Sequence, residues 1–291
     1  MTALLALPLL LAGGVRHASS SPAPPAVSIR WERGLEEAQK KARKAGKPII
    51  VDFWAEWCSW CERLDRTTYA DPFVARAAQD FVAVKIDTEG SRREREVAAR
   101  YEVTSLPTIV FLSPEGRQLW RVEAFQGPGQ FPRTLAAALG VGRNVIAWEE
   151  ALGRNPDDPR ALAALGAHLY DLGTRLAQQP CLDEARELFQ KAVARDVLEP
   201  VEDRRRARML LAILRNIVGD FAGAEKLVKD ALSLGPKNED QPKLLFVLGR
   251  TQLSAGRVSE SVETFQIILR EYPQSQVAPK ARETLGNIAP R

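Results

Sequence analysis

Two cysteines, Cys58 and Cys61, stand two residues apart in the run Trp57-Cys58-Ser59-Trp60-Cys61, directly after the apolar stretch from Ile49 to Ala55. A buried strand, then C-x-x-C, then a helix-compatible segment is an arrangement suited to a redox-active dithiol. The first cysteine falls where strand gives way to helix, so unpaired N–H groups and the positive dipole end of that helix favour its thiolate. Only a thiolate attacks a disulfide, which makes Cys58 the candidate nucleophile. Cys61, one turn on, is in reach to resolve a mixed disulfide and close the Cys58–Cys61 pair. Asp52 lies inside the apolar strand, six residues before Cys58. A carboxylate in a strand covered on both faces is costly when ionised and tends to hold its proton, so Asp52 is a candidate acid/base for the dithiol. A hydrogen-bonded structural aspartate is the competing reading.

C-x-x-C is also half of a zinc site, but tetrahedral zinc needs four ligands. Beyond the pair the chain offers only Cys181, His17 and His168, remote in sequence or in the N-terminal leader. No metal and no cofactor other than the cysteine pair is expected. Two histidines also leave little room for His-based triads or metal hydrolysis. Cys181 reads as a small apolar filler near a helix start, and His168 as a structural or exposed residue.

The flanking pattern supplies the elements that hold these groups. Trp31, Leu35, Ala38 and Ala42 have the spacing of one amphipathic helix, stopped by Gly46-Lys47-Pro48. Ile49 to Ala55 is apolar on both faces, as in a central strand. Strands are expected over Phe81 to Asp87, Pro107 to Leu112 and Gln118 to Ala124, with helices over Arg92 to Tyr101 and Gly129 to Leu139. In the last strand Trp120, Val122 and Ala124 face one side and Arg121 and Glu123 the other, which suits a sheet edge. The alternation gives an α/β sheet of mixed direction.

Val51 to Cys61, V-D-F-W-A-E-W-C-S-W-C, resembles the active-site segment of thioredoxins, and Leu106-Pro107-Thr108 resembles their cis-proline loop. The leading helix, Gly46-Lys47-Pro48 and T-T-Y-A-D-P-F after the active site are closer to the C-terminal thioredoxin-like domain of transmembrane thiol:disulfide interchange proteins. The resemblance implies a thioredoxin fold over 30–140. It implies Cys58 as attacking thiolate, Cys61 as resolving thiol, Asp52 as buried proton acceptor and Pro107 as the cis-proline that leaves nearby backbone free for a substrate strand. Trp57, as a packing wall beside the disulfide, would border the substrate with Trp60, Leu106 and Gly127. Three positions depart from the family. Ser59-Trp60 replaces Gly-Pro, Ala83 stands where thioredoxins carry the lysine that pairs with the buried aspartate (although Lys85 shares its strand face), and Glu62 follows Cys61 where a lysine is common. The dipeptide tunes redox poise, so the direction of electron flow stays open.

Beyond Gly140 the pattern is helical only and repeats itself. Ala185/Phe189/Ala192, Ala224/Val228/Ala231 and Ser261/Phe265/Ile268 superimpose at offsets of 39 and 37, with Pro236 and Pro273 closing the last two. Leu211-Ala212 and Leu248-Gly249 lie twelve residues upstream of their copies, and Leu165-Gly166 begins the first. Small residues there let two antiparallel helices approach, and the aromatic or β-branched residue fills the space between them. These positions resemble the tetratricopeptide repeat over 143–291, with Gly173 to Pro180 as extra loop and Gln274 to Ile288 as a polar-faced cap. Such stacks hold peptides or protein segments on a concave surface.

At 291 residues with 45% hydrophobic and 27% charged residues, the chain has the composition of a two-domain globular protein. A net charge of +4, spread over mixed-sign segments, does not call for nucleic acid; Arg204-Arg205-Arg206 reads as a solvated helix face. The first residues, M-T-A-L-L-A-L-P-L-L-L-A-G-G, fit the apolar core and small-residue cleavage site of a secretory signal over 1–18, without the usual basic start. A flexible tether follows over 19–29. No stable membrane span is expected. The whole describes an exported thiol:disulfide oxidoreductase of the cell envelope or periplasm. It would act on protein thiols or disulfides, or on a redox partner, with a protein partner held by the repeats. The alternatives are a cytoplasmic reductant, and an adaptor whose thioredoxin-like domain only docks.

Overall fold

The computed structural model describes residues 28–195, 197–235 and 239–288. The expected signal segment, most of the tether and Pro236 lie outside them. The described part of the first half is a mixed sheet flanked by helices and the second a run of paired helices, as the sequence predicts; the sheet has five strands, one more than expected.

Strand β1 (Trp31–Glu32) comes first, then α1 (Leu35–Ala45) and β2 (Ile49–Trp54). Trp31 therefore does not belong to the leading helix. It pairs in parallel register with Ala83, and its four-residue spacing from Leu35 is a coincidence of two neighbouring elements. Glu36 and Glu37 in the first turn of α1 and Arg43 and Lys44 in the last complement the helix dipole, and Gly46 ends it at φ 61°. The active-site helix α2 (Ser59–Arg63) passes into a π-helical turn (Leu64–Thr68), followed by α3 (Pro72–Ala77), capped by the Asp71 carboxylate. Strand β3 (Val82–Asp87), helix α4 (Arg92–Arg100), strands β4 (Thr108–Leu112) and β5 (Gln118–Val122) complete the sheet.

The strand order is β1-β3-β2-β4-β5, with β2 central, parallel to β3 and antiparallel to β4. Alternation along β2 sends Val51 and Phe53 toward α1 and α4, into a core with Val84, Val97 and Val110. Ile50 joins the opposite core with Leu64, Ala83, Ile109, Leu119 and Phe131. Asp52 shares the side of Ile50. At the edge, β5 is shorter than expected, ending at Val122, and its register shifts opposite Phe111 and Leu112. Such an extra residue breaks the strict two-residue alternation, and Leu119 is fully buried beside Trp120.

Helix α5 (Phe131–Arg154) runs 24 residues, straight through Gly140 and Gly142 and well past the expected end at Leu139. Three helix pairs follow: α6 (Pro159–Leu176) with α7 (Gln179–Ala194), α8 (Val201–Ile217) with α9 (Phe221–Ser233), and α10 (Gln241–Ser254) with α11 (Val258–Glu271). Helix α12 (Ala278–Ile288) closes the stack. The extra loop expected over Gly173 to Pro180 is instead mostly helix. Gly173 lies in α6, where a Cβ would meet Leu182 at 2.7 Å, so the glycine lets α6 and α7 close tightly. The repeat positions pack as their spacing implies: a Cβ on Gly166 would sit 3.3 Å from Phe189, and one on Gly249 2.8 Å from Phe265.

The two halves share a core. Phe131 and Leu135 of α5 belong to the same apolar cluster as Leu162, Leu165 and Phe189 of the first pair. Around it, Arg117 bridges Glu149 (3.1 Å) and Glu184 (2.5 Å), His168 Nε2 lies 3.3 Å from the Gln118 carbonyl, and Arg175 stacks on Trp120. Among the described residues no helix is long and apolar enough to cross a membrane.

Candidate active site

Cys58 and Cys61 are joined as a disulfide. Cys58 is the N-cap of α2, in extended conformation, and its sulfur accepts the Cys61 N–H at 3.1 Å. The Cys58 carbonyl takes the N–H groups of Cys61 and Glu62, so the start of the helix is tied to this one residue. Both sulfur-bearing side chains are buried. Around them the rim is aromatic: Trp57 is 66% and Trp60 50% exposed. The Trp57 indole N–H donates to the Glu89 carboxylate at 2.7 Å, and Trp60 packs against Phe125 with ring centroids 5.4 Å apart. Glu62 is exposed and paired with Arg66 at 3.4 Å.

Beneath α2 lies a charged cluster. Asp52 is 0% exposed, and its register partner on β3 is Lys85, whose ammonium donates to Asp52 Oδ2 at 2.9 Å and to Asp65 Oδ1 at 2.6 Å. The same ammonium sits over the rings of Trp31 (5.0 Å), Tyr69 (5.5 Å) and Trp54 (5.8 Å). Burial pushes the Asp52 carboxyl above its usual range, and Lys85 only partly offsets it. Burial works against the Lys85 charge, but Asp52 and Asp65 outweigh it and raise that pKa. Burial and the two neighbouring carboxylates push the Tyr69 phenol well above its ordinary value. Asp52 Oδ1 and the Tyr69 hydroxyl lack a well-formed hydrogen bond. A buried acid with one satisfied oxygen, held beside a caged cation, can take up and release a proton at modest cost.

Leu106 and Pro107 form the loop before β4, and their peptide bond is cis. Pro107 is buried and Leu106 half-buried. Gly127 lies in the loop between β5 and α5, where its carbonyl accepts the N–H groups of Gln130 and Phe131. A Cβ there would meet only Phe125, at an ordinary 3.9 Å.

Lys85, named in the sequence only as a neighbour on the strand face, proves to be the direct partner of Asp52. Asp65 and Tyr69 complete the cluster without a motif of their own. Their signal was the spacing: Asp65 follows Cys61 by four residues and Tyr69 by eight, the rhythm of one helix face. Arg63, Glu89 and Phe125 gave no separable signal. Cys181 is a free, half-buried thiol at the start of α7, its pKa raised by burial. Among the described residues no group of three His, Cys, Asp or Glu side chains could hold a metal ion.

A dithiol at the head of a helix on a mixed sheet defines a thioredoxin-like domain, and residues 35–139 match the family of that description. Residues 170–239 and 218–276 match the tetratricopeptide repeat. The chain is thus a thioredoxin-like domain, similar to part of the thiol:disulfide interchange protein DsbD, followed by tetratricopeptide repeats. Among its relatives, DsbD of Ralstonia nicotianae is 30% identical over 143 residues, 47% of this chain and 24% of that protein. DsbD of Vibrio vulnificus (strain CMCP6) is 35% identical over 94 residues, 31% of this chain and 16% of that one. The chain thus spans a quarter or less of the length of the curated relatives it matches. The oxidised C-terminal domain of Neisseria meningitidis DsbD overlays with 22% identity, covering 35% of this chain and 90% of that domain at a TM-score of 0.32, too loose a likeness to argue from.

Proposed function

We propose that the protein is an exported thiol:disulfide oxidoreductase that acts on protein disulfides, with its helical repeats recruiting the protein partner. The observation that carries this reading is the Cys58–Cys61 disulfide at the head of α2, with Cys58 as N-cap. In the reduced enzyme the Cys58 thiolate attacks one client sulfur, forming a mixed disulfide as the second client sulfur leaves as thiolate. Cys61 then loses its proton, with Asp52 as acceptor, and attacks Cys58. The enzyme disulfide forms, and the client's first sulfur leaves as the second thiolate. Two electrons pass from enzyme to client; a client dithiol meeting the enzyme disulfide runs the same steps backward. Recruitment on the repeats raises the client's effective concentration at Cys58, so weak binding suffices.

The test is a Cys61→Ala variant, which lacks the resolving thiol and so traps the mixed disulfide. Adducts that form through Cys58, dissolve in reductant and diminish when the repeats are deleted support the proposal. Correctly exported protein that yields no covalent adduct refutes it. N-terminal sequencing of the mature chain tests export, with a start near Val15 as the expected result.

A further inference from the structure

One group beside the dithiol has no part in the exchange steps. Arg63, the last residue of α2, lays its guanidinium over Trp60 at 5.2 Å and over Phe125 at 5.0 Å. Among the described residues no carboxylate pairs with it, and the adjacent Glu62 is taken by Arg66. Stacking uses the faces of a guanidinium; its N–H donors lie in the plane and stay free for a carboxylate. The stack is also held in place. Phe125 precedes Gln126, whose carbonyl accepts the Thr68 hydroxyl at 2.7 Å and whose side-chain oxygen accepts the Thr134 hydroxyl at 2.8 Å. Trp60 nevertheless keeps half its surface open, two residues from Cys58. The other exposed tryptophan of the rim has the opposite charge beside it, because Trp57 is held by Glu89.

Resting on the oxidoreductase reading, we propose that Trp60, Arg63 and Phe125 form the specificity surface of that site. The preferred client carries, beside its reactive cysteine, a large apolar side chain that lies on Trp60 and a carboxylate that reaches the free edge of Arg63. Glu89 repels the same carboxylate on the Trp57 side, which sets the direction in which the client segment lies. A platform ordered before binding loses little entropy when the client arrives. Arg63 and Phe125 act by binding and placing the client and take no part in bond exchange.

Single-turnover reduction separates this from the chemistry itself. Reduced full-length protein is mixed with four peptides, each containing one internal disulfide flanked by Phe-Asp, Phe-Lys, Ala-Asp or Ala-Lys. In each reaction the enzyme dithiol becomes the disulfide and the peptide disulfide becomes a dithiol, with no other reductant. Every rate is divided by that for hydroxyethyl disulfide, a small neutral substrate, measured with the same variant. The expected order puts Phe-Asp first, about fivefold or more above Ala-Lys, with the Asp preference shrinking as salt rises. Trp60→Ala abolishes the Phe preference; Arg63→Glu turns the Asp preference into a Lys preference, and Arg63→Lys retains part of it. Equal normalised rates for the four peptides, or an unchanged order in Arg63→Glu, overturn the specificity proposal while leaving the oxidoreductase reading intact. A wild-type protein inert toward hydroxyethyl disulfide overturns both.

Discussion

Replacing Asp52 by Asn should make the protein more stable at neutral and alkaline pH. The native carboxylate is fully buried, receives one charged hydrogen bond from Lys85, and has no well-formed hydrogen bond at Oδ1, where the Tyr69 hydroxyl is its weaker neighbour. Removing it does not strand Lys85, which keeps Asp65 at 2.6 Å and the rings of Trp31, Trp54 and Tyr69. The Asn oxygen can still accept from Lys85, and its amide offers a donor for the Tyr69 oxygen. Because burial raises the folded pKa of Asp52, folding disfavours its ionised form by about 1.4 kcal/mol for each pH unit of that rise, and an uncharged Asn that keeps the Lys85 contact escapes this cost. The pH dependence fixes the cause. The folded pKa of Asp52 is raised above the unfolded value of about 3.9, so between the two the native state holds more protons than the unfolded state. Wild-type stability therefore falls as pH rises through that interval, and the variant escapes the fall. Urea midpoints of both proteins, kept oxidised, from pH 4.5 to 8.5 should show a gap in favour of Asn that widens with pH. A gap that does not widen, or a variant weaker than wild type at pH 8.5, refutes the argument that desolvation dominates at Asp52.

Two further outcomes follow from packing and titration elsewhere. Gly249→Ala drives a methyl to 2.8 Å from Phe265 and should cost about 1–3 kcal/mol, more than Gly166→Ala, whose methyl meets Phe189 at 3.3 Å; thermal unfolding of the pair gives the ranking. Burial lowers the pKa of His168 at the β5–α6 contact. As pH falls below about 6.5, the unfolded state takes up this proton first and stability declines toward the folded pKa. His168→Gln should remove that part of the slope, read as a smaller loss of urea midpoint between pH 7.5 and 5.5.

Much of the fold is written in local spacing. The apolar run of β2, continuous on both faces, and the glycine–aromatic pairs of the repeats need no distant information, and Phe189 and Phe265 sit where Gly166 and Gly249 make room for them. What stayed hidden depends on partners far along the chain. Trp31 satisfies a helical spacing with Leu35, yet pairing with Ala83 on β3 holds it extended. Lys85 meets Asp52 only through the β2–β3 register, which one strand alone does not specify. Gly140 and Gly142 resemble a domain break, but a Cβ on Gly142 would lie 3.1 Å from Pro48, so that glycine serves close packing inside a continuous helix. Arg63 and Phe125 are unremarkable residues until a helix and a loop bring them to the same ring.

Helix α5 makes the distance between the dithiol and the repeats a constant of the molecule. Its 24 residues form a rod of about 36 Å, with Phe131 buried among the sheet residues at one end and Trp148 packed beside the first repeat at the other. Bending it would break backbone hydrogen bonds within the helix. With the sheet also joined directly to the first repeat pair through Arg117–Glu184 and Gln118–His168, a polypeptide seated in the repeats as proposed would meet the sulfur pair at a set separation. On the proposed function, that spacing would sort clients by tether length as well as by composition.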